Sequence, residues 1–302
     1  MGVDKPLGLS SHAVVDKIRN LLGEKRVGHG GTLDPLASGV LLIGVGPATR
    51  LLNYLTLDTK AYRAQIEFGS QTSTDDIEGE VIASSEVPQE LFEPQGAEAL
   101  LSSFLGKQSQ VPPNFSAVHV DGKRAYDLAR KGSELNLQAR AIEVYRTELL
   151  EITRRPQLVW DVYFSVSKGS YIRSLARDIG LKAHTHAHLK SLRRLKSGLL
   201  DIAECNSLDE LSDLTESSAR RALDPVTLLN SEIYLLEDEE LSKVQNGLLP
   251  SVSKSLKRSC SFVYASKLYA YLHIDKQTNN RETVFFPEGI EGVQECTIKK
   301  IS

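Results

Sequence analysis

The sequence predicts a fold of the α+β class, in which strands and helices follow one another without a regular βαβ rhythm. Residues 61–68 alternate between apolar and polar side chains, which is the period of a half-buried strand. Residues 141–152 and 158–166 are typical of two longer strands, and the second of them contains the single tryptophan. Residues 170–183 show the apolar spacing of an amphipathic helix.

The N-terminal third predicts one clear helix and several shorter elements. Ser10 and Ser11 are suited to cap a helix whose apolar residues recur on one face. A glycine-rich stretch follows, and residues 40–45 predict a short apolar strand. Residues 71–80 are polar and acidic, which predicts a loop, and a helix is expected at about 89–105.

The remainder of the chain is less regular. Turns and short strands are expected at 107–122 and a short helix at 123–131. The densest basic stretch is 182–196, a pattern that is more often a solvated face than a binding site. Residues 207–222 are typical of a polar helical connector, and residues 231–302 predict a small β-rich module.

Composition indicates a soluble protein of ordinary type. The chain has 302 residues, of which 41% are hydrophobic and 25% charged. No targeting segment or membrane span is recognisable, so a cytoplasmic location is expected. The three cysteines are far apart and lack metal-ligand spacing. The net charge of −3 is uneven, because residues 1–200 carry 25 Lys+Arg against 22 Asp+Glu and the remainder carries 11 against 17. Local positive charge is what a phosphate-binding surface needs.

One short block carries most of the chemical information. Residues 28–39 contain a single carboxylate, Asp34, which precedes Pro35 and lies among four glycines. Proline restricts the residue before it to extended conformations, and glycine allows close approach of the backbone to a ligand. A lone acid on a stiff, narrow loop suits a nucleophile or a general base. From these residues alone, an Asp-Pro turn between a helix and a strand is slightly favoured.

The block resembles the catalytic motif of the TruB family of pseudouridine synthases, which commonly has threonine where this chain has Gly30. Further blocks resemble that family in the same order along the chain. They are 4–12 (DKPLGLSSH), 60–64 (KAYRA), 112–117 (PPNFSA), 167–175 (SKGSYIRSL) and 192–195 (LRRL). The resemblance covers roughly residues 3–200 and is weak beyond about residue 205.

The resemblance implies an architecture. It implies a mixed, mainly antiparallel sheet flanked by helices, which is the pseudouridine synthase fold. It also implies a small C-terminal PUA-like domain. We therefore expect a catalytic domain at 1–230, including RNA-binding insertions, and a PUA-like domain at 231–302.

The resemblance also implies roles for individual residues. Asp34 is the nucleophile or base, Arg173 is its ion partner, and Tyr62 stacks on the target base or removes its C5 proton. The other residues that it implies contact the RNA: His29, Tyr171, Lys5, Lys168, Arg193 and Arg194. It implies no metal and no cofactor.

The implied reaction is the isomerisation of uridine-55 in the T arm of tRNA to pseudouridine. The expected partner is tRNA, and the protein is expected to act as a monomer without an obligate protein partner. The absence of basic low-complexity tails favours a stand-alone bacterial-type enzyme over a guide-RNA enzyme.

Other interpretations remain open at this stage. The same scaffold could serve as a non-catalytic tRNA-binding or tRNA-folding module. His184, His186 and His188 could ligate a metal in a hydrolase if that segment is extended, although no carboxylate or cysteine has suitable spacing. Asp75 and Asp76 together with Glu78 could form an acid pair, but the sequence favours a solvated turn.

Overall fold

The computed structural model describes residues 1–56, 59–116, 119–120, 123–124, 137–212 and 222–294. Its helices are α1 Ser11–Leu22, α2 Leu52–Leu55, α3 Pro94–Ser102, α4 Ile172–Lys182, α5 Leu208–Ser212, α6 Pro225–Leu229 and α7 Asp238–Gln245. Its first strands are β1 Gly2–Lys5, β2 Val27–Gly30, β3 Ala37–Val45, β4 Lys60–Phe68, β5 Ser70–Thr72, β6 Val81–Ser84, β7 Gly106–Gln110, β8 His119–Val120 and β9 Lys123–Arg124. The later strands are β10 Arg140–Thr153, β11 Val159–Val166, β12 Ala187–Ser197, β13 Leu200–Asp201, β14 Glu232–Leu235, β15 Cys260–Tyr264, β16 Lys267–Ile274 and β17 Arg281–Ile290.

The chain divides into two units. The terminal unit comprises Met1–Asp34, Val40–Leu57 and Gly198–Ser302. The central unit comprises Pro35–Gly39 and Asp58–Ser197. The C-terminal residues thus belong to the same unit as the N-terminal helix.

The central unit is built on a sheet in the order β3, β12, β4, β11, β10, β7. Only the first part of β3 belongs to this unit, and it pairs in parallel with β12. All the other neighbours are antiparallel. Helix α4 packs on β12 and β4. The mixed, mainly antiparallel sheet flanked by helices is therefore confirmed.

Alternation along the central strands explains the core of this unit. Tyr62, Ala64 and Ile66 on β4 are buried, and Phe68 continues the same face. The Phe68 and Trp160 rings lie 4.5 Å apart between centroids. The Trp160 Nε1–H group donates to the Leu91 carbonyl at 2.9 Å, so the buried indole has a partner for its only polar atom.

In the terminal unit, α1 packs on β1, β2 and the later part of β3. Ser10 caps the helix by accepting a hydrogen bond from the Ala13 N–H, and Gly23 ends it with a φ of +61°. Val14, Val15 and Ile18 are buried in an apolar cluster with strand residues. The predicted helix and its cap are confirmed.

The second sheet of the terminal unit has the order β14, β15, β16, β17. Its first pair is parallel and the others are antiparallel. Leu51, which precedes α2, is buried in an apolar cluster with Val263, Leu268 and Phe286 of this sheet. The described residues of 231–302 are therefore β-rich, as the sequence predicts.

The structure also corrects several sequence predictions. Most of the basic stretch at 182–196 forms β12 in the interior of the central sheet, and within the stretch Arg194 is buried while Lys182 and Lys196 are exposed. The helix expected at 89–105 is shorter, since a 3₁₀ turn at Gln89–Phe92 precedes α3. Of the helix expected at 123–131, the first two residues are strand β9, and the rest lies outside the described residues.

The parallel pairing of β3 with β12 leads to a prediction about Gly39. Its φ is +103°, and an added Cβ would lie 2.1 Å from the Arg194 carbonyl oxygen. Gly106 also has a positive φ, +91°, but open space around it. We expect Gly39→Ala to lower the free energy of unfolding by roughly 3 kcal/mol or more and Gly106→Ala by about 1 kcal/mol. Urea denaturation of both variants measures the difference, and equal losses would contradict the close approach.

Candidate active site

Asp34 lies in the loop between β2 and β3, and the residue before it is anchored to helix α1. The Ser11 hydroxyl donates to the Leu33 carbonyl at 3.0 Å and accepts from the Leu33 N–H at 2.8 Å. Both groups are buried, whereas Asp34 itself is half-buried. The Ser11 side chain thus satisfies both the N–H and the carbonyl of Leu33. This contact fixes the position of the loop at the residue before Asp34.

The glycines of this block have different functions. Gly31 has a φ of +80°, a conformation that residues with a Cβ seldom adopt. Gly30 lies in β2 opposite Leu42, and a Cβ there would lie 2.9 Å from the Thr56 Cγ2 atom. The space that the family's usual threonine side chain would need is therefore partly filled by Thr56.

Two predicted RNA-contacting residues lie in the same unit as Asp34. His29 is half-buried in β2, opposite Ile43. Lys5 is fully buried, and its ammonium group donates to the carbonyls of Pro6 at 2.9 Å and Leu9 at 2.6 Å. A phosphate contact by Lys5 would require its release from these carbonyls, so the structure gives this residue an anchoring role.

Arg173 occupies the first turn of α4 in the central unit, and only 5% of it is exposed. Its guanidinium group donates to the Thr74 carbonyl at 3.1 Å and to the Phe115 carbonyl at 2.9 Å. Its Nη1 atom also lies 3.6 Å from the Asp76 Oδ2 atom. Acceptors from two separate loops therefore fix the orientation of this buried cation.

The prediction that Asp75 and Asp76 form a solvated turn is wrong. Both residues are buried, and each is paired with an arginine of α4. Asp76 lies beside Arg173, whereas the Asp75 carboxylate accepts a hydrogen bond from Arg177 at 2.8 Å. Burial raises the pKa of the Asp75 carboxyl, although Arg177 and Arg173 act in the opposite direction.

Tyr62 and Arg194 are register partners on β4 and β12. Tyr62 is buried on the apolar face of β4. Its register partner on the other neighbouring strand, β11, is Phe164. Arg194 is 1% exposed, so in this structure it does not offer its charge to solvent. An RNA contact by Arg194 would have to reach it inside the central unit.

Tyr171 precedes α4, and its backbone is held by a residue that the sequence did not single out. The Gln110 side-chain amide donates to the Tyr171 carbonyl at 3.0 Å and accepts from its N–H at 2.8 Å. Gln110 is buried at the end of β7. This two-point contact fixes the start of the helix that carries Arg173, and nothing in the local sequence pattern signals it.

The remaining basic candidates differ in exposure. Lys168 is exposed in the turn before Gly169. Arg193 is half-buried and donates to the Ser38 hydroxyl at 3.2 Å. Lys168 and Arg193 are thus better placed for phosphate contacts than Lys5 and Arg194.

The environment of His188, the grouping of possible metal ligands and the character of the helices bear on the class of protein. His188 is buried, and its Nδ1 atom lies 3.1 Å from the Ser70 carbonyl oxygen. Across the described residues, no three histidine, cysteine or acidic side chains cluster closely enough to hold a metal ion. Among the helices of the described part, none has the length and apolar character to cross a membrane.

The structure places the predicted site residues in both units. Lys5, His29 and Asp34 belong to the terminal unit, and the others belong to the central unit. Within the central unit, Arg173 is brought together with Asp76 rather than left at the surface. The partnership of Arg173 with Asp34 stays a prediction.

Comparison with known proteins identifies the family. Residues 19–172 match the TruB family pseudouridylate synthase N-terminal domain, and residues 173–230 match the tRNA pseudouridylate synthase B C-terminal domain. The chain is 37% identical to tRNA pseudouridine synthase B of Ehrlichia ruminantium over 88% of its own length and 90% of the relative's. It is 42% identical to the protein of the same name from Mycobacterium tuberculosis, over 83% of each chain.

Solved structures show the same fold. The chain aligns with a chain of a Cbf5-Nop10-Gar1 complex at a TM-score of 0.67 and 26% identity, covering 95% of this chain and 83% of that one. A chain from an H/ACA RNP bound to a substrate RNA containing 2'-deoxyuridine gives the same TM-score at 23% identity, covering 97% and 84%. This chain belongs to the TruB family of pseudouridylate synthases, and the predicted fold class and enzyme class are confirmed.

The contacts of Arg173 predict its sensitivity to a conservative change. Lysine has one compact ammonium group and cannot reproduce a fork that reaches acceptors in two loops. We expect Arg173→Lys to lower the free energy of unfolding by about 1–3 kcal/mol, because buried acceptors lose their donor. In Arg146→Lys, which alters an exposed ion pair with Glu148, the change should stay within about 0.5 kcal/mol. Urea denaturation tests both, and equal effects would contradict the anchoring of Arg173.

Proposed function

We propose that this enzyme isomerises uridine-55 in the T arm of tRNA to pseudouridine, using Asp34 and no cofactor. The observation that carries the proposal is the Asp34 block, which has the family's catalytic pattern and stands in family order with the other motifs. The names of the relatives, which cover most of the chain, support tRNA as the substrate class.

The chemical events of the reaction set four requirements for the active site. The N1–C1′ bond of the uridine breaks, the uracil turns, a C5–C1′ bond forms, and the proton on C5 leaves. A carboxylate must act near C1′ or C2′, a cation must keep it ionised, and a surface must hold the loose base. The uridine must also leave its stack, which costs a few kcal/mol.

Asp34 supplies the carboxylate in this proposal, and Arg173 supplies the cation. Asp34 either attacks C1′ or removes the C2′ proton. A guanidinium group remains charged at any physiological pH, so it favours the ionised form of a neighbouring carboxylate. The anchoring of Leu33 by Ser11, and of Arg173 by two loops, is the preorganisation that such chemistry needs.

The aromatic residues hold and deprotonate the base. Tyr62 stacks on the uracil or accepts the C5 proton, and Tyr171 supplies a second ring contact. His29 offers an imidazole face that stacks within the RNA where the uridine has left. Lys168 and Arg193 contact phosphates. The C-terminal PUA-like module contributes RNA-binding surface. The enzyme acts as a cytoplasmic monomer.

The alternative is a non-catalytic module that binds or folds tRNA on the same scaffold. The presence of Asp34, Tyr62 and Arg173 together argues against it, because a module without catalysis has no need to keep all three.

The first test is tritium release from tRNA transcripts labelled at C5 of uridine. We expect release with the wild-type enzyme and a loss of at least about 10³-fold in rate with Asp34→Asn, because the amide is neither a nucleophile nor a base. The control is Asp16→Asn, which alters an exposed carboxylate on α1. A transcript with cytidine at position 55 should give no release.

Two outcomes would count against this proposal. Near-normal release by Asp34→Asn would remove Asp34 from the chemistry. No release by the wild-type enzyme, with tRNA binding intact, would favour the non-catalytic module.

The second test concerns phosphate contacts. We expect Lys168→Ala and Arg193→Ala each to weaken tRNA binding and to reduce the slope of log K against log salt by about 0.7–0.9. Filter binding at several salt concentrations measures this slope. Lys190→Ala is the control, because Lys190 is paired with Glu67 at 2.7 Å. A salt slope unchanged in all three variants would exclude Lys168 and Arg193 as phosphate contacts.

A further inference from the structure

Two consecutive aspartates contact two arginines that are one turn apart on the same helix. Asp76 lies beside Arg173, and Asp75 lies beside Arg177. Residues four apart on a helix share one face, so α4 presents both guanidinium groups to the same side. The segment Thr72–Gly79 thus meets α4 through two ion pairs.

The backbone of Asp75 makes this arrangement possible. In an extended chain, neighbouring side chains point in opposite directions, and only one of two consecutive carboxylates could face the helix. Asp75 has a φ of +60°, in the left-handed region that aspartate, asparagine and glycine tolerate best. This turn brings both carboxylates to α4.

The segment Thr72–Gly79 is organised around Asp76. The Asp76 Oδ1 atom accepts hydrogen bonds from the Thr74 hydroxyl at 2.6 Å and from the Glu78 N–H at 3.1 Å. Its carbonyl accepts from the Thr72 hydroxyl at 2.5 Å. The same segment supplies the Thr74 carbonyl to Arg173. Two of the acceptors that orient Arg173 therefore move with this segment.

Arg177 anchors this segment to α4 together with Arg173. One Nη atom of Arg177 donates to Asp75, and the other donates to the Val111 carbonyl at 3.0 Å. The Arg177 Nε–H group donates to Asp178 at 2.9 Å. The side chains of Arg177 and Asp75 are 15% and 10% exposed, so water screens their attraction only weakly.

The Asp75–Arg177 pair also separates two competing partners. Asp75 is close enough to Arg173 for their charges to interact. Without Arg177, Arg173 would be the remaining cation on this face of α4, and Asp75 would draw its guanidinium group away from Asp76. With Arg177 in place, each carboxylate has its own cation.

We propose that Asp75 and Arg177 are a positioning pair that sets the orientation of Arg173 through the segment Thr72–Gly79. The proposal rests on the proposed function, in which Arg173 is the ion partner of Asp34. Asp75 and Arg177 do not touch the reacting atoms. They act through Asp76 and the Thr74 carbonyl, and their loss should reduce the rate of chemistry and leave tRNA affinity unchanged.

The experiment compares single-turnover tritium release and tRNA binding for four variants. They are Asp75→Asn, Arg177→Gln, the double variant and the control Asp161→Asn. Asp161 is another buried aspartate that is paired with an arginine, Arg63. It is far in sequence from both loops that hold Arg173. We expect each single variant to lose about tenfold in rate, because even a small displacement of a catalytic group slows the chemical step. Their tRNA dissociation constants should stay within about twofold of wild type. The double variant should be no slower than the slower single variant, because both changes break one pair.

Asp75→Gly separates charge from backbone conformation, since glycine tolerates the left-handed region. It should be as slow as Asp75→Asn if the carboxylate is what matters. Urea denaturation confirms that each variant is folded under the assay conditions.

The outcomes distinguish the two proposals. If wild type is active and Asp34→Asn inactive, but Asp75→Asn keeps its full rate, the positioning pair is wrong and the proposed function stands. If Asp161→Asn slows the reaction as much as Asp75→Asn does, the effect is general and the positioning pair is again wrong. If wild type releases no tritium, the proposed function itself fails.

Discussion

The burial of the Arg173 guanidinium group is the constraint on which the central unit depends. A buried cation needs acceptors on several sides, because the free energy of removing it from water is otherwise not offset. Here the acceptors come from two loops that are distant in sequence, at Thr74–Asp76 and at Phe115. Both loops must therefore be in place for the Arg173 charge to be buried.

The same logic explains the supporting contacts around α4. Ser174 and Arg177 both donate to the Val111 carbonyl, and Gln110 holds the backbone of Tyr171. The start of the helix is thus tied to the segment that follows β7 by several bonds. In the terminal unit, Ser11 gives Leu33 a comparable two-point anchor. In each unit, a contact to the first turn of a helix thus fixes one predicted site residue or its neighbour, namely Leu33 next to Asp34 and Arg173 itself.

Much of the fold could be predicted from local periodicity, and part could not. The alternation at 61–68 and the apolar stripe of α1 were sufficient, because each depends on one buried face. Strand β12 was missed, because its lysines and arginines are typical of a solvated face. Its position between β3 and β4 buries Arg194, and the neighbours that stabilise it there come from other parts of the chain. The acidic pair Asp75–Asp76 was misjudged for the same reason, since its cations lie about a hundred residues away.

The sequence by itself determined the family and the class of reaction, because these depend on a few residue types at fixed spacing. It also determined most strands and helices, since their periodicity is local. Only the tertiary structure decided which charges are buried and with what they pair. Lys5, Arg194 and Asp76 look like surface residues in the sequence, yet all three are buried. Asp76 is paired with the distant Arg173, and Arg194 lies opposite Tyr62 of a distant strand, whereas Lys5 is held by the nearby carbonyls of Pro6 and Leu9. No local pattern encodes the first two contacts, because their partners are brought together only when the chain folds.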